Sequence, residues 1–318
     1  MISRRDFLAT TAGVGATLSL TPRLLEALAQ GQLIQRAIPS TGEKIPVIGL
    51  GSSATFSAVA RSEDVTALRE VFKAMTDRGA SVFDTAPSYG ASEEVAGKLV
   101  SEMGLANKMF WATKLNVVGR GAGTADVAAA RAQVEQSFAR FKRAKIDLIQ
   151  VHNMADPPTQ LGVLQEYKKA GKVRYVGITT TSDSQYGLLE SVMRNEPLDF
   201  IGIDYAADNR GVEEKILPLA QERKIGVLVY APFGRTSLFR RAADTPLPEF
   251  AKEFGAATYA QFFLKFILAH PAVTAITPAT SKATNMIDNI GGGIGKLPTA
   301  AQREQIIKFV DALPPARR

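Results

Sequence analysis

The chain has 318 residues, 46% of them hydrophobic, enough to bury one large core and too many for a small stapled module. It has no cysteine and two histidines, His152 and His270, which excludes a disulfide framework, a thiolate nucleophile and a histidine-rich metal site. The formal net charge of +7 is not gathered into a dense Lys/Arg cluster or a basic stripe with aromatics, so nucleic acid is not an expected partner.

In chain order, residues 1–29 stand apart. Ser3-Arg4-Arg5-Asp6-Phe7-Leu8 is followed by an uncharged apolar run, Ala9 to Leu20, and then by the small-x-small triplet Ala27-Leu28-Ala29. The run is shorter than the roughly 20 apolar residues a spanning helix needs, so no membrane span is expected in the mature chain. These parts resemble a twin-arginine signal peptide. The resemblance implies the bacterial twin-arginine export machinery as a partner, periplasmic or exported localisation, and a mature chain over residues 30–318 with net charge +6, since residues 1–29 hold three arginines and two acids.

Beyond Gln30 a hairpin is expected: Gln35–Pro39, a turn at Ser40-Thr41-Gly42, then Lys44–Pro46. Short apolar runs then alternate with amphipathic stretches. The runs are Val47–Ser53, Ser81–Ala86, Met109–Leu115, Ile146–Asn153, Val173–Thr180, Phe200–Ala206, Gly226–Phe233 and Val273–Thr280. Their helices are expected at Ser62–Arg78, Ser92–Met103, Thr124–Arg143, Thr159–Ala170, Ser184–Arg194, Val212–Glu222, Leu247–Ala269 and Lys282–Asn289, with an extra C-terminal helix at Pro298–Ala312. Gly291-Gly292-Gly293 reads as a flexible loop. Eight strand–helix units in about 250 residues predict a single-domain (β/α)8 TIM barrel, and continuous apolar runs suit parallel strands buried on both faces. Gly49-Leu50-Gly51-Ser52-Ser53-Ala54 also fits G-x-G-x-x-G/A, the mark of a dinucleotide-binding Rossmann sheet. However, the next helix opens only near Ser62, and the next acidic strand end, Asp84, comes too late.

In such a barrel the chemistry lies at the C-terminal strand ends. Three consecutive strands there carry Asp84, with Tyr89 just beyond it, then Lys114, then His152. A phenol is a weak acid at neutral pH, and a neighbouring ammonium favours its ionised form. Asp84 would hold Lys114, His152 would orient a carbonyl oxygen, and Tyr89 would serve as general acid or base. Singly, each has a structural alternative: a rim ion pair, a turn tyrosine, an interior histidine.

Phe83-Asp84-Thr85-Ala86-Pro87-Ser88-Tyr89-Gly90, Ala112-Thr113-Lys114 and Asp147-Leu148-Ile149-Gln150-Val151-His152-Asn153 resemble the catalytic segments of the aldo-keto reductases, and the likeness runs in order from Ile45 to Asn289. It implies reduction of a small-molecule aldehyde or ketone with NADPH, NADH being the alternative, with Asp84, Tyr89, Lys114 and His152 as catalytic residues. For the cofactor it implies Thr179 and Thr180 at the nicotinamide carboxamide and Tyr230, beside Pro232, against the nicotinamide ring. Arg235 would meet the pyrophosphate, Thr280 and Lys282 a 2′-phosphate, and Asp288-Asn289 the adenine. The chain departs from the family at Thr180, at Gly202 (where Gln is common), at Ala279 and at Asn285. These departures leave a cofactor-binding or partner-binding barrel with little turnover as the alternative function.

Overall fold

A computed structural model of the chain describes residues 31–119 and 123–316. The expected export signal, residues 1–29, lies outside them. The hairpin forms as expected, β1 (Gln35–Ala37) pairing antiparallel with β2 (Lys44–Pro46), with Ala37 opposite Lys44. Gly42 closes its turn at φ +78°, a conformation that glycine adopts without steric penalty. Ile38 and Ile45 are buried and plug the N-terminal end of the barrel, packing with Val82, Phe110, Leu148, Tyr175, Phe200 and Leu228.

Eight parallel strands follow: β3 (Leu50–Gly51), β4 (Val82–Asp84), β5 (Phe110–Leu115), β6 (Ile146–Val151), β7 (Val173–Thr180), β8 (Phe200–Asp204), β9 (Gly226–Tyr230) and β10 (Ala275–Ile276). Each pairs with the next in sequence. The seam between first and last is joined by backbone bonds from Gly49 N to Ile276 O (2.8 Å), Ile276 N to Val47 O (2.9 Å) and Gly51 N to Pro278 O (3.1 Å). The (β/α)8 expectation is therefore met. The first and last strands are shorter than their apolar runs. Pro278 has no N–H for the ladder, and the chains crowd there: a Cβ on Gly51 would stand 2.5 Å from Thr277 O.

The outer layer comprises α1 (Thr55–Ala60), α2 (Thr66–Thr76), α3 (Ser92–Glu102), α4 (Val127–Phe141), α5 (Pro157–Lys169), α6 (Tyr186–Asn195), α7 (Ile216–Glu222), α8 (Ser237–Ala242), α9 (Tyr259–Leu268), α10 (Ala283–Gly291) and α11 (Ala300–Asp311). In α2 the buried residues Leu68, Val71, Phe72 and Met75 recur at helical spacing; burial of each large one stabilises by about 1.5–3 kcal/mol. Among the described residues no helix is long and apolar enough to cross a membrane.

Four expectations need correction. The stretch expected as one helix, Leu247–Ala269, is broken. A 3-10 turn at Glu249–Phe254 ends on Gly255 at φ +71°, and α9 begins anew where the Thr258 side chain accepts from Gln261 N. The stretch expected as Val212–Glu222 is a 3-10 turn, Gly211–Glu213, followed by α7. Ser62–Arg78 shortens to α2, and α1 precedes it unforeseen, with Phe56 buried beneath Phe72 and Phe83. Gly291–Gly293 is a packing device rather than a flexible loop. A Cβ on Gly293 would lie 2.6 Å from Leu33 Cδ1, and one on Gly292 2.8 Å from Leu264 Cβ.

Candidate active site

Side chains alternate across a strand, so Val82 and Asp84 share the interior face of β4, Phe110, Ala112 and Lys114 that of β5, and Leu148 and Gln150 that of β6. The space they enter is opened by glycines on the opposite wall. A Cβ on Gly177 in β7 would meet Phe200 O at 2.4 Å and Gln150 Cγ at 3.1 Å. A Cβ on Gly202 in β8 would stand 2.4 Å from Cε2 of Tyr230. Two missing side chains thus leave the top of the barrel interior to Gln150 and Tyr230.

Lys114 Nζ donates to Asp84 Oδ2 at 2.6 Å and to Thr85 O at 2.8 Å, with both members of the ion pair buried. The Tyr230 hydroxyl donates to the other carboxylate oxygen, Asp84 Oδ1, at 3.2 Å, and accepts from Gln150 Nε2 at 2.9 Å. The ammonium lies 5.2 Å from the Tyr89 ring centroid and 4.9 Å from that of Tyr230. The Tyr89 and His152 rings stand edge to face, centroids 5.8 Å apart. Backbone turns hold both. Ser92 Oγ donates to Tyr89 O at 2.8 Å, and Gly90 turns the chain at φ +61°. After His152, Asn153, Met154 and Asp156 all have positive φ, and Asn153 N is tied to Thr179 Oγ1 at 3.1 Å. Such conformations are uncommon outside glycine, and surrounding contacts must maintain them.

Burial pushes the Asp84 carboxyl up, against the pull of Lys114 and of the Tyr230 hydroxyl. Burial alone would lower Lys114, but the Asp84 charge and Tyr89 outweigh it and hold the lysine protonated. His152 is pushed down to about 3 by burial and by the Lys114 charge, so its imidazole is neutral through the physiological range. Burial, the Asp84 charge and neighbouring Tyr89 raise Tyr230 well above a free phenol, against the bond from Gln150. It remains a hydrogen-bonding group and not an acid.

These residues floor a cavity of about 730 Å³ at the C-terminal mouth, within the range of ligand pockets. Asp84, Tyr89, Lys114 and His152 all line it, so the structure brings the four predicted catalytic residues together. Of the predicted cofactor residues, Thr179, Tyr230, Pro232 and Arg235 line it; Thr180, Thr280, Lys282, Asp288 and Asn289 do not. The Thr180 hydroxyl donates to Gln185 Oε1 and accepts from Ser182 N. Thr280 Oγ1 caps Lys282 N at 3.1 Å, and Asp288 Oδ1 accepts from Thr258 and Gln261, tying α10 to α9. A polar annex of about 200 Å³ shares Ser88, Asn116 and His152 with the cavity and is closed by Gln133, Gln136 and Arg140.

Other wall residues were not foreseen. Ser52 and Thr277 are buried and line the cavity, and their hydroxyl oxygens have no protein hydrogen-bond partner. Together with the half-buried Tyr230 ring they offer what a nicotinamide nucleotide requires: an aromatic face and unpaired donors for ribose or phosphate oxygens. The residues present therefore fit that group. Among the described residues no acid and histidine cluster could hold a metal. Gln150 was legible in principle, since a lone amide in an apolar strand shares parity with His152. Ser52 and Thr277 had no signal in the sequence, because only barrel closure brings them together.

The family model for the aldo/keto reductases matches residues 47–301. Aldo-keto reductase YhdN of Bacillus subtilis is 33% identical over 211 residues, a match covering 63% of this chain and 62% of that protein. Aldo-keto reductase str7 of Strobilurus tenacellus is 29% identical over 262 residues, covering 72% and 76%. Among solved structures, an aldo-keto reductase of Klebsiella pneumoniae in complex with NADPH superimposes with a TM-score of 0.71 at 20% identity, covering 90% of this chain and 98% of that one. The holo form of an aldo-keto reductase from Bacillus halodurans gives 0.70 at 22% identity, covering 88% and 96%. These two likenesses speak to the fold.

Proposed function

Because this chain belongs to the aldo/keto reductase family, we propose that it is an NADP(H)-dependent oxidoreductase that reduces an aldehyde or ketone to an alcohol, with Tyr89 as the proton donor. The observation that carries the reading is the buried Lys114 ammonium. It is fixed by Asp84 at 2.6 Å and lies 5.2 Å from the Tyr89 ring, and the neutral His152 ring stands edge to face with that ring at 5.8 Å.

When bound, the nicotinamide supplies the hydride. Everything else falls to side chains. Tyr89 gives its proton to the carbonyl oxygen, and the Lys114 charge favours the phenolate left behind. Asp84 and Thr85 O hold Lys114 in place, so this field is fixed before the reaction begins. His152, neutral, offers a hydrogen bond to the same oxygen and does not compete with Tyr89 as the acid. Tyr230, Thr179, Pro232, Ser52 and Thr277 would hold the nicotinamide half of the cofactor, and Arg235 the pyrophosphate. Thr280, Lys282, Asp288 and Asn289, beyond the cavity wall at Ala279, are assigned to the adenosine end. The exposed Lys282 amine favours NADPH over NADH.

The test is NADPH oxidation across a panel of aldehydes, ketones and quinones. Tyr89→Phe should lower kcat by about 10²–10⁴-fold while the NADPH dissociation constant stays within about threefold; a variant as active as wild type removes Tyr89 from its role. Fluorescence quenching by NADPH without turnover of any carbonyl would favour the binding-barrel alternative. Arg235→Ala with unchanged cofactor affinity would remove Arg235.

We also propose export through the twin-arginine pathway. The support is the order Arg4-Arg5, Ala9 to Leu20, Ala27-Leu28-Ala29 in the sequence. Wild-type protein should be recovered from the periplasm, and a variant with Arg4→Lys and Arg5→Lys should remain in the cytoplasm. Equal distribution of the two would refute the assignment.

A further inference from the structure

The catalytic carboxylate has two oxygens, and Lys114 uses one of them. The other, Oδ1, accepts from the Tyr230 hydroxyl at 3.2 Å. A carboxylate can only accept, so the phenol must donate to it and receive its own bond from Gln150 Nε2, as the 2.9 Å contact shows. Tyr230 reaches this position only because residue 202 is glycine. A Cβ there would stand 2.4 Å from Cε2, 2.6 Å from the hydroxyl oxygen and 2.8 Å from Cζ of the ring. No relaxation short of moving the ring would accommodate it.

We infer that Tyr230 is a positioning residue whose hydroxyl fixes the Asp84 carboxylate in the orientation that pairs with Lys114, and that the missing side chain of Gly202 is what admits the ring to this seat. The role is separate from the contact that the ring face makes with a cofactor. As a statement about Asp84 it stands on geometry alone; as a statement about turnover it rests on the reductase reading.

The groups facing the Asp84–Lys114 pair are Tyr230 from β9, bonded to Asp84, and Tyr89 from the loop after β4, whose ring lies beside the Lys114 ammonium. Farther out are His152 beyond β6 and buried Glu93 of α3, the latter engaged by Thr113, Ser137 and Arg140. Tyr230→Phe alters none of these except the hydroxyl. It keeps the ring beside the ammonium and removes a bond that favours charged Asp84. Gly202→Ala keeps the hydroxyl but displaces it.

The experiment is a ¹³C carboxyl NMR titration of aspartate-labelled protein without cofactor, for wild type and both variants. A hydrogen bond to a charged group corresponds to about one to two pH units, so the Asp84 midpoint should rise by about that much in Tyr230→Phe and also in Gly202→Ala. The acidic limb of kcat/KM should move up by the same amount. The NADPH dissociation constant of Tyr230→Phe, read by fluorescence quenching, should change less than about threefold, since the ring remains. An unmoved Asp84 midpoint in folded Tyr230→Phe overturns the inference. A rise in Tyr230→Phe without one in Gly202→Ala overturns the part assigned to Gly202. If both midpoints rise but no carbonyl is turned over by any form, the positioning role stands and the reductase reading falls.

Discussion

Lys114→Met isolates the buried ion pair. Its two side chains are only 2% and 5% exposed, and the bond is 2.6 Å. Removing the ammonium leaves the Asp84 carboxylate with the Tyr230 hydroxyl alone, and an uncompensated buried charge destabilises by about 3–5 kcal/mol. The double variant Lys114→Met with Asp84→Asn removes both charges, so it should stay within about 1 kcal/mol of wild type. The single variant can escape by protonating Asp84, whose pKa burial already raises. In that variant the folded chain binds a proton that the unfolded chain has released, from the unfolded pKa of about 3.9 upward. Its stability therefore falls as pH rises through that window, and its deficit is larger at pH 8 than at pH 5. Urea unfolding can be followed through Trp111, the single tryptophan. It lies on the same strand as Lys114 and packs between Phe83 and Phe141 at 5.9 and 4.8 Å. A deficit below about 1 kcal/mol that does not vary with pH would refute the claim that Asp84 is charged and depends on Lys114.

Other consequences follow from the same geometry. With its pKa pushed down to about 3, His152 should contribute no inflection to kcat/KM between pH 5 and 8, and an NMR titration should find its ring neutral throughout. Because the unfolded imidazole protonates near 6.5 and the folded one does not, His152 should reduce stability on acidification below that pH. The slope approaches about 1.4 kcal/mol per pH unit, and His152→Gln should flatten it. Gly293→Ala should lower stability by about 1–3 kcal/mol through overpacking against Leu33 and Ile48, read as a lower Tm, whereas a flexible loop would tolerate it. Arg36 donates to the backbone carbonyls of Leu268, His270 and Val273 where α9 ends. Arg36→Met should therefore expose α9 to faster amide exchange while leaving NADPH affinity unchanged.

How much of this was legible in the sequence depended on the range of the interaction that decides each feature. The eight apolar runs, the hairpin and the order Asp84, Tyr89, Lys114, His152 are local patterns, and local patterns survive being read one residue at a time. Burial on both faces demands unbroken apolar strands, and parallel strands demand a helix between them. The barrel and its reactive rim were therefore determined by the chain alone. What the sequence did not show depended on neighbours far along it. Gly291–Gly293 looks flexible until Leu33 and Leu264 press against it. Gly202 reads only as a departure from the family, and the structure adds that Tyr230 from the next strand lies against it. One carboxylate oxygen of Asp288 is engaged by Thr258 and Gln261 from the start of the preceding helix, a tie that the local pattern does not show. Ser52 and Thr277 stand 225 positions apart in the chain and meet only because β3 and β10 close the barrel. The sequence determined which residues could take part in chemistry, through their type and strand parity. Only the tertiary structure decided which of them share a cavity and which are already committed elsewhere, because that turns on space and hydrogen-bond capacity contributed by strands the local pattern does not include.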